Sequence, residues 1–364
     1  MKKIKLKSLF LGILFTGVST TIILTSGILS TAALINVAGS SAVQPLMVAF
    51  ANKYPTSDLV TQAGGSGAGI RSVIEGTKDI GMASKWPKVI ESGLKENATE
   101  LNKSDALSWK EREIKTVTIA WDGMGVVYKP SKADSNIIDI NDITINTIYK
   151  LFAGHEKFKL SDLGIVGDDT FISPYARSGG ATISGTADAF FKDSNLNVLD
   201  EVKKDEKIIN ALINGNYGPN TTTTSESNSQ AWSFVKNENK VGSMTYLSAG
   251  FINNNIKEIE SNGFRVAKYK DVTIDLVNIA NGYDWFRPLN IMLPLRKDLV
   301  SSDSKALVEW ILHDPKAQAI TKEEGYVVLK EQEIKDLMTL NDDFWKSDQE
   351  IFDWKSESKP KVIE

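Results

Sequence analysis

Four short stretches of this 364-residue chain combine glycine with hydroxyl side chains. They are Gly39-Ser40-Ser41-Ala42, Gly64-Gly65-Ser66-Gly67-Ala68-Gly69, Ser84-Lys85, and Ser178 to Thr186 with Arg177 just before it. Serine and threonine hydroxyls donate hydrogen bonds without bulk, and glycine lets a backbone come close to a ligand. One such loop means little, because a serine before a helix is usually an N-cap. Four of them, with Lys85 and Arg177 beside two, point to a site for an oxyanion.

The elements around these loops support that chemistry. Apolar runs at Ala33–Ala38, Leu59–Ala63, Asp79–Ser84 and Phe171–Ala176 read as strands, and each leads into one of the loops. Helical patterns follow at Val43–Lys53, from Gly69 to about Glu75, and at Ala187–Phe191. Strand, small-residue loop and helix in repetition imply an α/β sheet with parallel strands. In such sheets ligands bind beyond the carboxyl ends of the strands, where helix N-termini offer N–H groups and partial positive charge. Thr116–Trp121 and Gly123–Tyr128 read as two strands joined at Asp122-Gly123, and Asn141–Phe152 as a helix. Pro219–Gln230 is polar, of low complexity and expected as a surface loop. Val241–Tyr246 and Trp285–Leu295 read as strands, and Ser304–His313 and Lys316–Glu324 as helices.

Composition excludes several alternatives. The absence of cysteine rules out disulfides, thiolate metal sites, thiol catalysis and lipid attachment through an N-terminal cysteine. With only His155 and His313, a multi-histidine metal site has no basis. The glycine-rich loop at 64–69 is not followed by the acidic residue that a dinucleotide ribose requires, since the next strand ends in Ser84-Lys85. The formal net charge is −4, and −8 once the four lysines among the first seven residues are set aside. Such a body has no general attraction for nucleic acid.

The N-terminus has the form of an export segment. Lys2, Lys3, Lys5 and Lys7 precede the uncharged stretch Leu9–Leu29. As a helix that stretch would span roughly 31 Å, about a bilayer core. Either it stays as an anchor or it is a signal peptide cut near Ser30-Thr31-Ala32. Both place the remainder outside the cytoplasmic membrane.

The ordered set of motifs resembles the phosphate-binding PstS proteins of ABC transporters. Ala38-Gly39-Ser40-Ser41-Ala42-Val43-Gln44-Pro45 is similar to their first motif, Gly64–Ile70 to their second, and Asp79-Ile80-Gly81-Met82-Ala83-Ser84-Lys85 to their third. Asp122-Gly123 with Val126-Val127, Ser184-Gly185-Thr186 with Phe190, Val241–Tyr246 and Glu324-Gly325-Tyr326-Val327 continue the series. The resemblance implies an α/β, two-lobed periplasmic-binding-protein-like fold of type II, with the ligand in the interlobe cleft and a hydrophobic N-terminal helix in front. It places an anchor or signal at 1–32, lobe one at 33–120 plus 247–330, lobe two at 121–246 and a tail at 331–364. It implies phosphate donors at Ser41, Ser66, Ser84, Arg177, Ser184, Gly185 and Thr186. The loops themselves add Ser40, Gly67 and Lys85. Asp122 stands either as the carboxylate that receives the phosphate proton or as the cap of a turn. Inorganic phosphate and the permease and ATPase subunits of a transporter are the implied partners, with no cofactor, metal or catalysis. A surface phosphate-ester hydrolase, or a surface protein binding another anion or a host molecule, are the competing readings. This chain departs from the family in three places: the Arg177–Ser184 interval is longer and lacks the usual acidic residue, Lys85 replaces the usual arginine, and the lipoprotein cysteine is missing.

Overall fold

The computed structural model describes residues 33–85, 114–192, 194–275, 278, 283, 285–296, 298–299, 301–331 and 334. The expected anchor or signal at 1–32, and all of the 331–364 tail except Glu331 and Ile334, lie outside the described residues. Among the described residues no helix is long and apolar enough to cross a membrane.

The strands are β1 (Ala33–Gly39), β2 (Ser57–Ala63), β3 (Ile80–Ala83), β4 (Ile114–Tyr128), β5 (Asp139–Ile140), β6 (Ser173–Arg177), β7 (Thr222–Thr224), β8 (Ser243–Ser248), β9 (Arg265–Val266), β10 (Lys268–Tyr269) and β11 (Phe286–Pro294). The helices are α1 (Gln44–Ala51), α2 (Ser66–Ile74), α3 (Thr144–Ala153), α4 (Gly180–Ile183), α5 (Gly185–Lys192), α6 (Asp200–Lys204), α7 (Glu206–Asn214), α8 (Asn228–Glu238), α9 (Ala249–Ser261), α10 (Ser302–His313) and α11 (Pro315–Glu323). The main sheet runs β2-β1-β3-β11-β4-β8-β6-β7, with β9 beside β4. As expected of strand–loop–helix units, β1 pairs in parallel with β2 and β3, and β6 with β7 and β8.

The chain departs from expectation at Asp122-Gly123, which is no turn. The two predicted strands are one strand of 15 residues, β4. Its first part, Ile114 to Gly123, pairs antiparallel with β11, and its second part, Met124 to Tyr128, pairs with β8. The strand continues through this point, with one irregularity of register where Ala120 and Thr118 face the successive residues Leu289 and Asn290. The Asp122 side chain is engaged across the sheet and does not cap a turn.

Two main hydrophobic cores flank this strand. One gathers Val37, Leu46, Phe50, Met82 and Val117 with Ile291, Leu307 and Ile311. The other gathers Val126, Tyr128, Phe152, Phe190 and Tyr246 with Ile252, Phe264, Tyr283 and Trp285. The buried apolar residues described between Leu247 and Trp285, such as Ile259, Tyr269 and Ile274, therefore pack in the second core. Phe190 stacks on Tyr246 with ring centroids 4.1 Å apart, and Trp285 tilts against Phe190. This aromatic block supports α5, whose first residues form part of the site.

Candidate functional site

The carboxyl ends of β1 and β3 and the starts of α2 and α5 converge on one hydroxyl cluster. Ser40 Oγ donates to Ser84 Oγ at 2.9 Å, and the Ser84 N–H donates to Ser66 Oγ at 3.1 Å. Ser66 Oγ lies 3.4 Å from Ser84 Oγ. Gly185 closes the cluster from the other side: a Cβ there would collide with the hydroxyls of both Ser66 and Ser84. Glycine is thus required at 185 for close approach. The first N–H groups of α2 and α5 have no partner within their helices and are available to an anion. Gly67 sits buried in the first turn of α2, and Ser184 Oγ accepts the Ala187 N–H at 3.1 Å, capping α5.

The cation of this cluster is Arg287, which the sequence motifs did not single out. Its Nη1 donates to Thr186 Oγ1 at 3.0 Å and to Ser84 Oγ at 3.3 Å. Its Nε and Nη2 donate to Asp122 Oδ2 at 3.0 and 2.8 Å. Arg287 and Asp122 are directly opposed on β11 and β4, and both side chains are fully buried. Asp122 Oδ1 in turn accepts Ser248 Oγ and the Gly250 N–H at the start of α9. The Asp122 carboxyl is therefore a holder of Arg287 rather than a group turned to the hydroxyls. The signal was present in the sequence: a lone arginine in the apolar run Trp285–Leu295 must be paired if buried.

Arg177 is buried but differently employed. Its Nη1 donates to the carbonyls of Ser225 and Ser227, and its Nη2 to Asn228 Oδ1 at 2.6 Å. Its backbone is held too: the N–H donates to Tyr246 Oη, and Tyr217 Oη donates to its carbonyl. Arg177 thus anchors the segment 225–228, which was expected as a plain surface loop and instead follows β7 into α8. Arg177→Ala is expected to lower stability by about 1–3 kcal/mol, because carbonyls lose their donors; thermal unfolding of the anion-free protein measures it.

The anchored segment delivers Glu226. Ser41 Oγ donates to the Glu226 carbonyl, so Ser41 faces this segment and not the hydroxyl cluster. Glu226 Oε1 is buried with no hydrogen bond of normal geometry. Burial pushes the Glu226 carboxyl up, opposed by the Ser184 hydroxyl and by the charges of Arg177, Lys85 and Arg287. A polar segment of low complexity gave no sign of this residue in the sequence. Lys85, also buried, directs its Nζ to the carbonyls of Thr182 (3.1 Å) and Ala181 (3.5 Å) on α4.

Of the residues expected from sequence, Ser40, Ser66, Ser84, Gly185 and Thr186 meet at one point, with Asp122 behind Arg287. Gly67 and Ser184 flank the cluster, and Ser41, Lys85 and Arg177 point elsewhere. Neither histidine joins it: His155 lines a surface cleft with Lys150 and Glu201, and His313 Nε2 lies 3.5 Å from Glu309. Among the described residues no cluster of metal-ligating side chains occurs.

Residues 26–313 match the PBP superfamily domain. The chain belongs to the PBP superfamily. An uncharacterized lipoprotein of Mycoplasma genitalium is 34% identical over 354 residues, covering 86% of this chain and 90% of that one. The phosphate-binding protein PstS of Bacillus subtilis is 30% identical over 127 residues, which cover 34% of this chain and 35% of that protein. In three dimensions, this PBP-superfamily chain is similar to a putative phosphate ABC transporter substrate-binding protein from Clostridium perfringens. The TM-score is 0.58 at 21% identity, over 82% of this chain and all of the other. The two-lobed α/β fold expected from the sequence is thereby established.

Proposed function

We propose that this protein is the extracytoplasmic substrate-binding component of an ABC transporter, that it binds inorganic phosphate between its lobes, and that it delivers it to the membrane permease and ATPase subunits. The observation that carries the reading is the buried Arg287–Asp122 pair, which aims one guanidinium nitrogen at Ser84 and Thr186 where hydroxyls from both sides of the cleft converge. The PstS name of the partial relative supports phosphate as the anion. The lobes would comprise 33–120 with 286–330, and 121–285, since the buried apolar residues described from Leu247 to Trp285 pack in the second core; the crossings would then be β4 and the start of β11. The phosphate ligands would be Ser40, Ser66, Gly67, Ser84, Arg287, Ser184, Gly185 and Thr186. The N-terminal segment and the lipoprotein designation of the 34% identical relative favour a place on the outer face of the membrane. Without cysteine, attachment here would fall to residues 1–32 themselves. Donors converging on one anion support binding rather than hydrolysis. Release of chromophore from a phosphomonoester would overturn that statement.

Selectivity for phosphate over sulfate would rest on Glu226. Near neutral pH phosphate keeps a proton and sulfate has none. A fixed carboxylate accepts that proton but repels sulfate. Asp122 is engaged by Arg287, whereas Glu226 Oε1 is buried and unsatisfied. Because burial raises the Glu226 pKa, its charge, and with it the discrimination, is present at high pH. It is lost as pH falls through a value above the ordinary carboxylate range. Leaving a charged group facing an anion without a shared proton costs at least about 1–3 kcal/mol. Glu226→Gln should therefore narrow the phosphate-over-sulfate ratio roughly tenfold at neutral pH and flatten its pH dependence. An unchanged ratio, measured by calorimetry with both anions, would move the proton acceptor elsewhere.

A further inference from the structure

We propose that Lys85 is a latch between the lobes, holding the cleft shut through protein contacts alone, and not a ligand of the anion. Lys85 ends the β3 side of the cleft and is only 2% exposed. Its ammonium group crosses to the last carbonyls of α4, which have no partner within that short helix. The neighbouring Ile183 carbonyl closes over Gly65, at 3.3 Å from where a Cβ would stand. Ser41 Oγ makes a second crossing bond, to the Glu226 carbonyl. None of these contacts uses the Ser40–Ser66–Ser84 cluster, so they form whether or not an anion is present.

The latch is rooted in the crossing strands. The Lys85 carbonyl accepts Asn290 Nδ2 of β11 at 3.1 Å, and Asn290 Oδ1 accepts Thr118 Oγ1 of β4 at 2.9 Å. A relative movement of the lobes must be absorbed in or beside these strands, and Lys85 is tied to them at one end and to the opposite lobe at the other. Two features of the sequence meet at this contact. The long interval between Arg177 and Ser184 is what builds α4, and Lys85 supplies a compact ammonium with three donors. That suits a pair of carbonyls better than a guanidinium fork. A contact of equal strength in the empty and the loaded closed form raises the closed population of both. It slows release and leaves the choice between anions unchanged.

The chain has no native cysteine, so Gln62→Cys at the end of β2 and Asn214→Cys beside α4, both exposed, can carry a donor and acceptor dye in the full chain. Single-molecule energy transfer is recorded in anion-free buffer for this protein and for the same protein with Lys85→Met. Loss of a charge-assisted bond predicts a closed-to-open ratio at least about tenfold lower in the variant. With phosphate, stopped-flow release should be about tenfold faster, at an unchanged phosphate-over-sulfate ratio when both proteins are measured at a pH high enough to keep Glu226 charged, since Lys85 is one of the charges that lower its pKa. Ser41→Ala, which removes the second crossing bond, should shift the anion-free distribution the same way, and it carries the test if Lys85→Met does not fold. Identical anion-free distributions would overturn the latch. So would a changed anion ratio with the anion-free distribution intact, which would return Lys85 to the ligand set. The anion-free arm involves no phosphate, so its outcome is separate from whether the protein binds phosphate at all.

Discussion

Replacing Arg287 by methionine is expected to abolish measurable phosphate binding, with a loss of at least about a hundredfold. The guanidinium donates directly into the hydroxyl cluster, to Thr186 and Ser84. Charge-assisted bonds to an anion are each worth about 1.5–3 kcal/mol, and every 1.4 kcal/mol is tenfold in affinity. The same change leaves Asp122 buried without its counter-ion, at about 3–5 kcal/mol of stability. The double variant Asp122→Asn/Arg287→Met separates the two effects. It should recover most of the stability, read as the thermal midpoint, and none of the phosphate affinity. A double variant that binds phosphate normally would remove Arg287 from the site.

Gly185→Ala should be nearly as damaging to binding while leaving the fold untouched. The added methyl group meets the Ser66 and Ser84 hydroxyls across the cleft, and both oxygens are tied into the cluster by hydrogen bonds. Closure around an anion is then blocked, and affinity should fall about a hundredfold or more. Alanine at the first position of α5 is otherwise favourable, by up to about 1 kcal/mol of helix propensity. The thermal midpoint of the anion-free variant should therefore stay level or rise. Affinity within about threefold of the wild type, measured by calorimetry, would show that the starts of α2 and α5 do not meet around the ligand.

How much of this was legible before the structure depended on whether a residue's role is local. The serine and glycine loops were, because strand, small-residue turn and helix follow one another in the chain. Each unit places its hydroxyl at the carboxyl end of a strand, as Ser40, Ser66 and Ser84 do. Arg287 was not, because its partner Asp122 lies on another strand in mid-chain, and Arg287 itself belongs to none of the motifs. Two charges buried in separate apolar runs, Thr116–Tyr128 and Trp285–Leu295, were the available signal. The reading of Asp122-Gly123 as a turn concealed it. Arg177 was read as a phosphate donor because it precedes a serine–glycine loop of the family pattern. The longer interval that follows it folds into α4, and its guanidinium goes instead to the carbonyls of 225–228. That exchange brings Glu226 to the site from a segment whose composition suggested only solvent exposure.

The central claim is that the cleft takes inorganic phosphate, and calorimetric titration of the full chain with phosphate tests it most directly, with sulfate run in parallel at neutral pH. The account predicts a single saturable site for phosphate, at least about tenfold weaker binding of sulfate, and no phosphate binding in Arg287→Met. No heat of binding with phosphate up to millimolar concentration, or a titration unchanged by Arg287→Met, would contradict it.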